Sequence, residues 1–536
     1  MPGRAIARPG APGPTARCAT TVAVSATHLS RLAAALTATA LLSACGSNAP
    51  AEDSTPTAAA SAIPSGVENR VSGGAHLTSA RLRDWPEFGL NPQRSDASSL
   101  SSGVTAANLA HLHRVKVSLP GTVDSSPIYL DEANVAGAEH SVAILTTTYG
   151  KTLALDATTG KVLWTFTPPG YSSWAGSSQI TTASPVSVPG EGFVYATSPN
   201  GLVHKLSLSS GQEAPGWPVS VTKDATHEKL AAALNIDGPY LLVATGGYLG
   251  DAPPYQGHVV AIDRASGRVA SVFNTLCANR RALIVPSSCP ASDSAILSRG
   301  GPVVEPGGRR ILISTGNGPW NGSTNLGDSV IELTLGGLNL RQAFTPVNQA
   351  QLNESDTDLG SSAPVLLGQN RVLIAGKDGI MRVLLLSNLD GHAPSVPNRL
   401  GGEVQGLALP GGRELFSTPA VWSVATGGGS TKTTVFVGAE HATAAYALIS
   451  GRLRLVWEND TPGTSPVIVG GLLYVYDPAE GGIYVYRPRS GHPIAKLPGE
   501  AGHWNSPIVV DGHVVEPEGD ANEHKLTGSL ELFSVG

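Results

Sequence analysis

A small residue, a proline and an apolar residue open a strand-like run seven times in this chain. The copies are Ser126-Pro127-Ile128, Ser184-Pro185-Val186, Gly301-Pro302-Val303, Ala363-Pro364-Val365, Thr418-Pro419-Ala420, Ser465-Pro466-Val467 and Ser506-Pro507-Ile508. An eighth unit is read near Ala233, where Leu234 to Gly247 has the shape of Ser465 to Asp477 without its proline. Repeats at periods of roughly 40 to 60 residues mean blades or arrays, in which each unit buries its face against the next. With 63 Gly, 40 Pro, two Met and only 14% charged residues, the chain suits short strands and tight turns rather than long helices. At 536 residues it exceeds an ordinary domain, but a closed ring of blades is a recognised way for one domain to do so. Function must then be sought in the departures from the repeat.

The N-terminus reads as an address. Residues 1–44 carry Arg4, Arg8, Arg17 and Arg31 and no acid, then an uncharged apolar stretch from Leu32 to Leu42, then Ser43, Ala44 and Cys45. A basic segment, a short apolar segment and small residues at the cut are export features. Leu42-Ser43-Ala44-Cys45 resembles the lipobox of bacterial lipoproteins, which implies cleavage after residue 44 and a lipid on Cys45. Removing the leader takes the net charge from −6 to −10, so nucleic acid is excluded as a favoured partner. Residues 45–80 are rich in Ala, Ser, Thr and Pro and form a flexible tether to the membrane, with the folded domain at 81–536. That domain retains Cys277 and Cys289, which outside the cytoplasm most simply pair as a disulfide.

The first unit shows the grammar of the repeat. Ala143 to Thr148, Thr152 to Asp156 and Val162 to Phe166 are strands, separated by turns at Tyr149-Gly150 and Thr159-Gly160. Asp156 and Thr158 can bond the backbone at the corner, Gly160 tolerates positive φ, and Trp164 offers an apolar plate for packing between blades. The run Ala154 to Trp164, ALDATTGKVLW, closely resembles the tryptophan-docking repeat of the pyrroloquinoline quinone (PQQ) type β-propellers. That family includes quinoprotein alcohol dehydrogenases and the propeller lipoprotein of outer-membrane protein assembly. The resemblance covers roughly residues 84–536 and implies an all-β fold, an eight-bladed propeller of four-stranded antiparallel blades around a central channel. It also implies closure of the ring, with His113 to Leu119 pairing near Ser529 to Val535.

The same resemblance points to a quinone site. The segments Ile313 to Asn321, Glu354 to Leu367 and Gly376 to Leu384 resemble those that carry the calcium-binding Asn, the catalytic Asp and the quinone-contacting Lys or Arg. They map to Asn317, to Asp358 with Asp356 beside it, and to Lys377. The metal set would thus be Asn317, Asp358 and Asp356, the base Asp358, and the quinone contacts Lys377, Asn317 and Arg299. The cofactor implied is PQQ with calcium or a lanthanide. Other positions depart from the pattern. Tyr248 stands where the family has a calcium-binding Glu, Arg299 replaces the floor Trp, and threonines of Leu145 to Gly150 replace the paired lid cysteines. A hard cation loses a carboxylate at Tyr248, with Asp251 in the next turn as a substitute. No CxxCH haem motif occurs. The plain alternative is that Asn317 and Asp358 brace turns and that Lys377 flanks a Lys-Asp-Gly hairpin.

The C-terminal run Gly502 to His524 gathers His503, Trp504, Asn505, His513, Glu516, Glu518, Asp520 and His524 and could line a channel mouth. Its histidines lack tight ligand spacing, so a solvated loop is the expected reading rather than a metal site. Aromatic and amide residues at Gly318 to Asn325 and Gly170 to Gln179 would suit a sugar or peptide. No GxSxG, P-loop or HExxH motif is present. The sequence thus predicts an exported, lipid-anchored propeller that binds or scaffolds at the cell envelope, with an envelope protein or glycan as partner. A PQQ-dependent dehydrogenase with an altered metal shell and a glycan-binding or glycan-cleaving propeller are the alternatives.

Overall fold

Proline has no N–H to give to a ladder, so it is tolerated at the start of a strand whose free edge faces no partner. In the computed structural model each repeat proline stands immediately before the innermost strand of a blade, as Pro127 stands before Ile128–Val135. The structure describes residues 81–392, 399–426 and 430–536. The leader, Cys45 and the tether read at 1–44 and 45–80 lie outside the described residues.

Eight antiparallel sheets follow one another. Blade I comprises Ile128–Val135, Ala138–Thr146, Thr152–Asp156 and Val162–Phe166. Blades II to VII span 186–220, 235–274, 303–344, 365–408, 420–459 and 467–497. Blade III, beginning at Asn235–Asp237, is the unit that lacks the proline. Blade VIII takes three strands from 508–534 and its fourth from His113–Leu119, which pairs in register from His113 opposite Ser534 to Leu119 opposite Gly528. The ring is therefore closed by sheet hydrogen bonds between the two ends of the domain, and no long edge is left open.

The repeat's corner residues act as their chemistry dictates. Asp156 Oδ1 accepts from the Thr158 and Thr159 amides at 3.2 and 2.8 Å, and Gly160 then turns at φ 73°. The tryptophan plates dock on the glycine corner of the next blade. A Cβ on Gly211 of blade II would lie 2.6 Å from the Trp164 ring of blade I, so only glycine admits the plate. The Trp164 indole N–H donates to Leu208 O at 2.8 Å, tying the same two blades by a directed bond. Trp457 of blade VI repeats the device, donating to Pro488 O of blade VII at 3.0 Å. Cys277 and Cys289 are joined by a disulfide in the connection between blades III and IV.

Residues 82–102 seal one end of the channel. The innermost strands leave backbone groups unpaired toward the axis, and this segment satisfies them in turn. Trp85 exchanges amide bonds with Tyr129 of blade I, Pro86 O accepts from Ser187 of blade II, and Pro92 O accepts from Val304 of blade IV. Ser95 O and Asp96 O accept from Val421 and Ile468 of blades VI and VII, and Leu82 O from Asp511 of blade VIII. Trp85, Phe88, Arg94 and Asp96 are all buried there. Arg94 is the rivet: its guanidinium bonds Glu87 at 2.9 Å, Phe88 O at 2.6 Å, Leu234 O of blade III at 2.7 Å and Gly300 O before blade IV at 3.0 Å. A buried guanidinium held by one carboxylate and three carbonyls has its donors well matched.

Candidate functional site

At the other end, where the innermost strands begin, the channel opens into a cavity of about 490 Å³. Its walls are built at one position of the repeat. Three residues before the repeat proline, or before Leu234 in blade III, stand Asp124, Thr182, Ala231, Arg299, Ser361, Phe416 and Trp504, and all seven line the cavity. In blade VII the same position is Gly463. A shared backbone geometry thus delivers seven side chains to one space, and the repeat places no demand on their identity. That single position is the signal from which Asp124 and Phe416 could have been read, and which the family comparison passes over.

One wall is an ion network. Asp124 Oδ1 takes Arg299 Nη2 at 2.9 Å, and its Oδ2 takes His503 Nδ1 at 2.7 Å and the Ala521 amide at 3.1 Å. Burial would raise the Asp124 carboxyl, but Arg299 and His503 outweigh it and hold the group well below the usual carboxylate range. Arg299 also donates to Asp124 O at 2.8 Å, so its guanidinium is committed to this carboxylate rather than lying as a free floor. Asp124, His503 and Asp520 bring ligand-type atoms within 4.8 Å of one another. With both Asp124 oxygens already bonded, the group reads as an ion network with a histidine in it. Sequence spacing could not show it, because Asp124 and His503 are 379 residues apart. Instead of lying in a solvated loop, His503 and Trp504 line the cavity. His513, Glu516 and Glu518 of the same run are buried within blade VIII.

The opposite wall holds the residues read by family resemblance. Lys377 Nζ lies 2.6 Å from Asp358 Oδ2, and the Asn317 amide donates to Asp358 Oδ1 at 2.8 Å. Burial pulls the Lys377 ammonium down, but the Asp358 carboxylate more than offsets it and raises the group. Asp358, Asp356 and Lys377 line the cavity, with Asp356 largely exposed and 3.9 Å from Lys377. Asn317 is buried behind Asp358. Tyr248 points its hydroxyl to Ala225 O at 3.0 Å, and Asp251 accepts from the Tyr255 hydroxyl at 2.7 Å. The threonines of the lid position, Thr147 and Thr148, are buried, and Thr148 bonds Thr122 O through both its amide and its hydroxyl. Between the walls Phe416 and Trp504 stack, ring centroids 4.5 Å apart and 28° between planes.

A hard divalent ion wants six or more oxygens, several of them free carboxylate oxygens. Here each Asp358 oxygen already accepts a hydrogen bond, one of them from an ammonium, and Tyr248 replaces a carboxylate. The donor set does not fit a metal-bound quinone as it stands.

An eight-bladed ring with tryptophan-docked corners and an axial cavity defines the class of fold, an eight-bladed β-propeller. Residues 122–318, from the start of blade I into blade IV, match the family model described as outer membrane protein assembly factor BamB. No curated protein sequence matches the chain. Among solved structures, the quinohemoprotein alcohol dehydrogenase from Comamonas testosteroni is similar with a TM-score of 0.60 and 15% identity, covering 86% of this chain and 82% of that one. A structure titled europium-containing methanol dehydrogenase is similar with a TM-score of 0.61 and 15% identity, covering 84% and 98%. The quinohemoprotein alcohol dehydrogenase ADHIIG from Pseudomonas putida HK5 has a TM-score of 0.61 at 13% identity, covering 84% and 80%. At these identities the likeness is one of fold.

Proposed function

We propose that the protein is an exported binding propeller of the cell envelope, anchored through a lipid on Cys45 and holding its ligand in the axial cavity. The observation that carries the reading is the Lys377–Asp358 ion pair at 2.6 Å, which occupies the carboxylate that a metal and quinone would need. The cavity itself has the size of a small-molecule site, and its walls mix aromatic rings with a few placed polar groups. Export is supported by the Leu42-Ser43-Ala44-Cys45 run and by a disulfide, which belongs to oxidising compartments. Among the described residues no helix is long and apolar enough to cross a membrane, which accords with a tethered domain. Envelope proteins or glycans are the partners this reading favours.

A PQQ-dependent dehydrogenase is the second reading, favoured by the juxtaposition of Asn317, Asp358 and Lys377. The two separate in one titration of the full-length protein, metal-free in detergent, with PQQ plus calcium or lanthanum, followed by quinone absorbance and thermal melting. The binding reading expects no saturable uptake under either ion. Uptake that disappears in Asp358→Ala would overturn it in favour of the oxidoreductase.

A further inference from the structure

Lys229 lines the cavity just before blade III, and among the described residues its ammonium has neither a hydrogen-bond acceptor nor an ion-pair partner. Every other cation on the walls is engaged, Arg299 by Asp124 and Lys377 by Asp358. Burial, and after it the charge of Arg299, push the Lys229 ammonium down to about 8 against the pull of Asp124 and Asp520. A partly buried cation with no carboxylate bonded to it is costly unless an anion arrives with the ligand.

The surroundings restrict what that anion can be. Asp251, Asp356, Asp358 and Glu414 also line the cavity, so a multiply charged anion would meet carboxylates wherever it turned. A single negative charge at Lys229 avoids them. The stacked Phe416 and Trp504 rings, with Leu297, give the rest of the molecule a flat apolar surface. We propose that Lys229 anchors an anion site in which the cavity takes a small aromatic monocarboxylate, its acid group on the lysine and its ring on the Trp504–Phe416 platform.

The inference rests on the cavity being a ligand site and adds the class of ligand and the residue that selects it. Calorimetric titration of the full-length protein in detergent with 1-naphthoate, 1-naphthamide and 1-naphthylmethylammonium tests it. Naphthoate is expected to bind about tenfold or more tighter than naphthamide, as a charge-assisted bond to a lysine is worth. Lys229→Met should bring naphthoate down to the amide's affinity, while Lys229→Arg restores part of the difference. Equal binding of naphthoate and naphthamide to the unaltered protein, a comparison that needs no variant to fold, overturns the proposal. So does naphthoate affinity that survives in a folded Lys229→Met protein. Binding of the ammonium probe alone removes the anion site and leaves the cavity a ligand site; failure of all three probes removes both.

Discussion

Glu516 is 1% exposed between strands of blade VIII, and neither of its carboxylate oxygens has a hydrogen-bond partner. Burial, with the nearby Glu518 adding to it, raises the group well above the usual glutamate range. A carboxyl raised on folding contributes stability that is present below the unfolded value and is lost as pH climbs through the folded one. Glu516→Met is therefore expected to stabilise the protein by about 1–3 kcal/mol at pH 4, the scale of a buried polar group left unmade, and by more at pH 8, where the cost of ionising or holding a proton on the raised carboxyl is added. Urea melts of the two proteins at both pH values check this, and equal gains at both would show that ionisation of Glu516 is not the cause. At the same scale the candidate site was half legible. Asp358, Lys377 and Arg299 could be named from local sequence, and each lines the cavity. Asp124 was within reach only through its place in the repeat, since its partners Arg299 and His503 come from distant parts of the chain, and Lys229 had no signal at all, because its role depends on what faces it across the ring.

The segment at 82–102, irregular but for the short strand Ala97–Ser98 that pairs in parallel with Ile468 and Val469, satisfies edges of seven blades, and Arg94 is the residue on which it converges. Arg94→Met would leave Glu87 buried without its cation and strip donors from the carbonyls of Gly300 and Leu234. Breaking such a pair by removing one partner costs about 3–5 kcal/mol, which should appear as an earlier urea midpoint. A midpoint unchanged within error would mean that the segment contributes little to holding the ring. The strands were legible because proline, aspartate and glycine each act through their own backbone chemistry. Asp156 and Gly160 make the corner that their sequence order announced. The sealing segment was only recognisable as the opening of a family domain, since its bonds run to residues as distant as Asp511.

For the whole molecule, closure through His113–Leu119 decides whether the ring has an edge. That strand pairs with Gly528–Ser534, and Arg114 meets Glu531 across the seam at 2.8 Å. A chain beginning at Thr122 should therefore elute as oligomers with an exposed strand, and a peptide spanning 81–121 added in trans should return it to a single species. Light scattering that shows a monodisperse truncated protein would place the seam elsewhere.

Because residues 82–102 stop the channel at one end, the axial cavity is a cul-de-sac. Whatever enters leaves by the same mouth, so arrival and departure contend for one doorway and nothing can be passed through the molecule. Residence is then set by how fast a guest backs out past Leu249, 86% exposed on the rim, and the propeller is suited to keeping hold of a molecule rather than to conducting one.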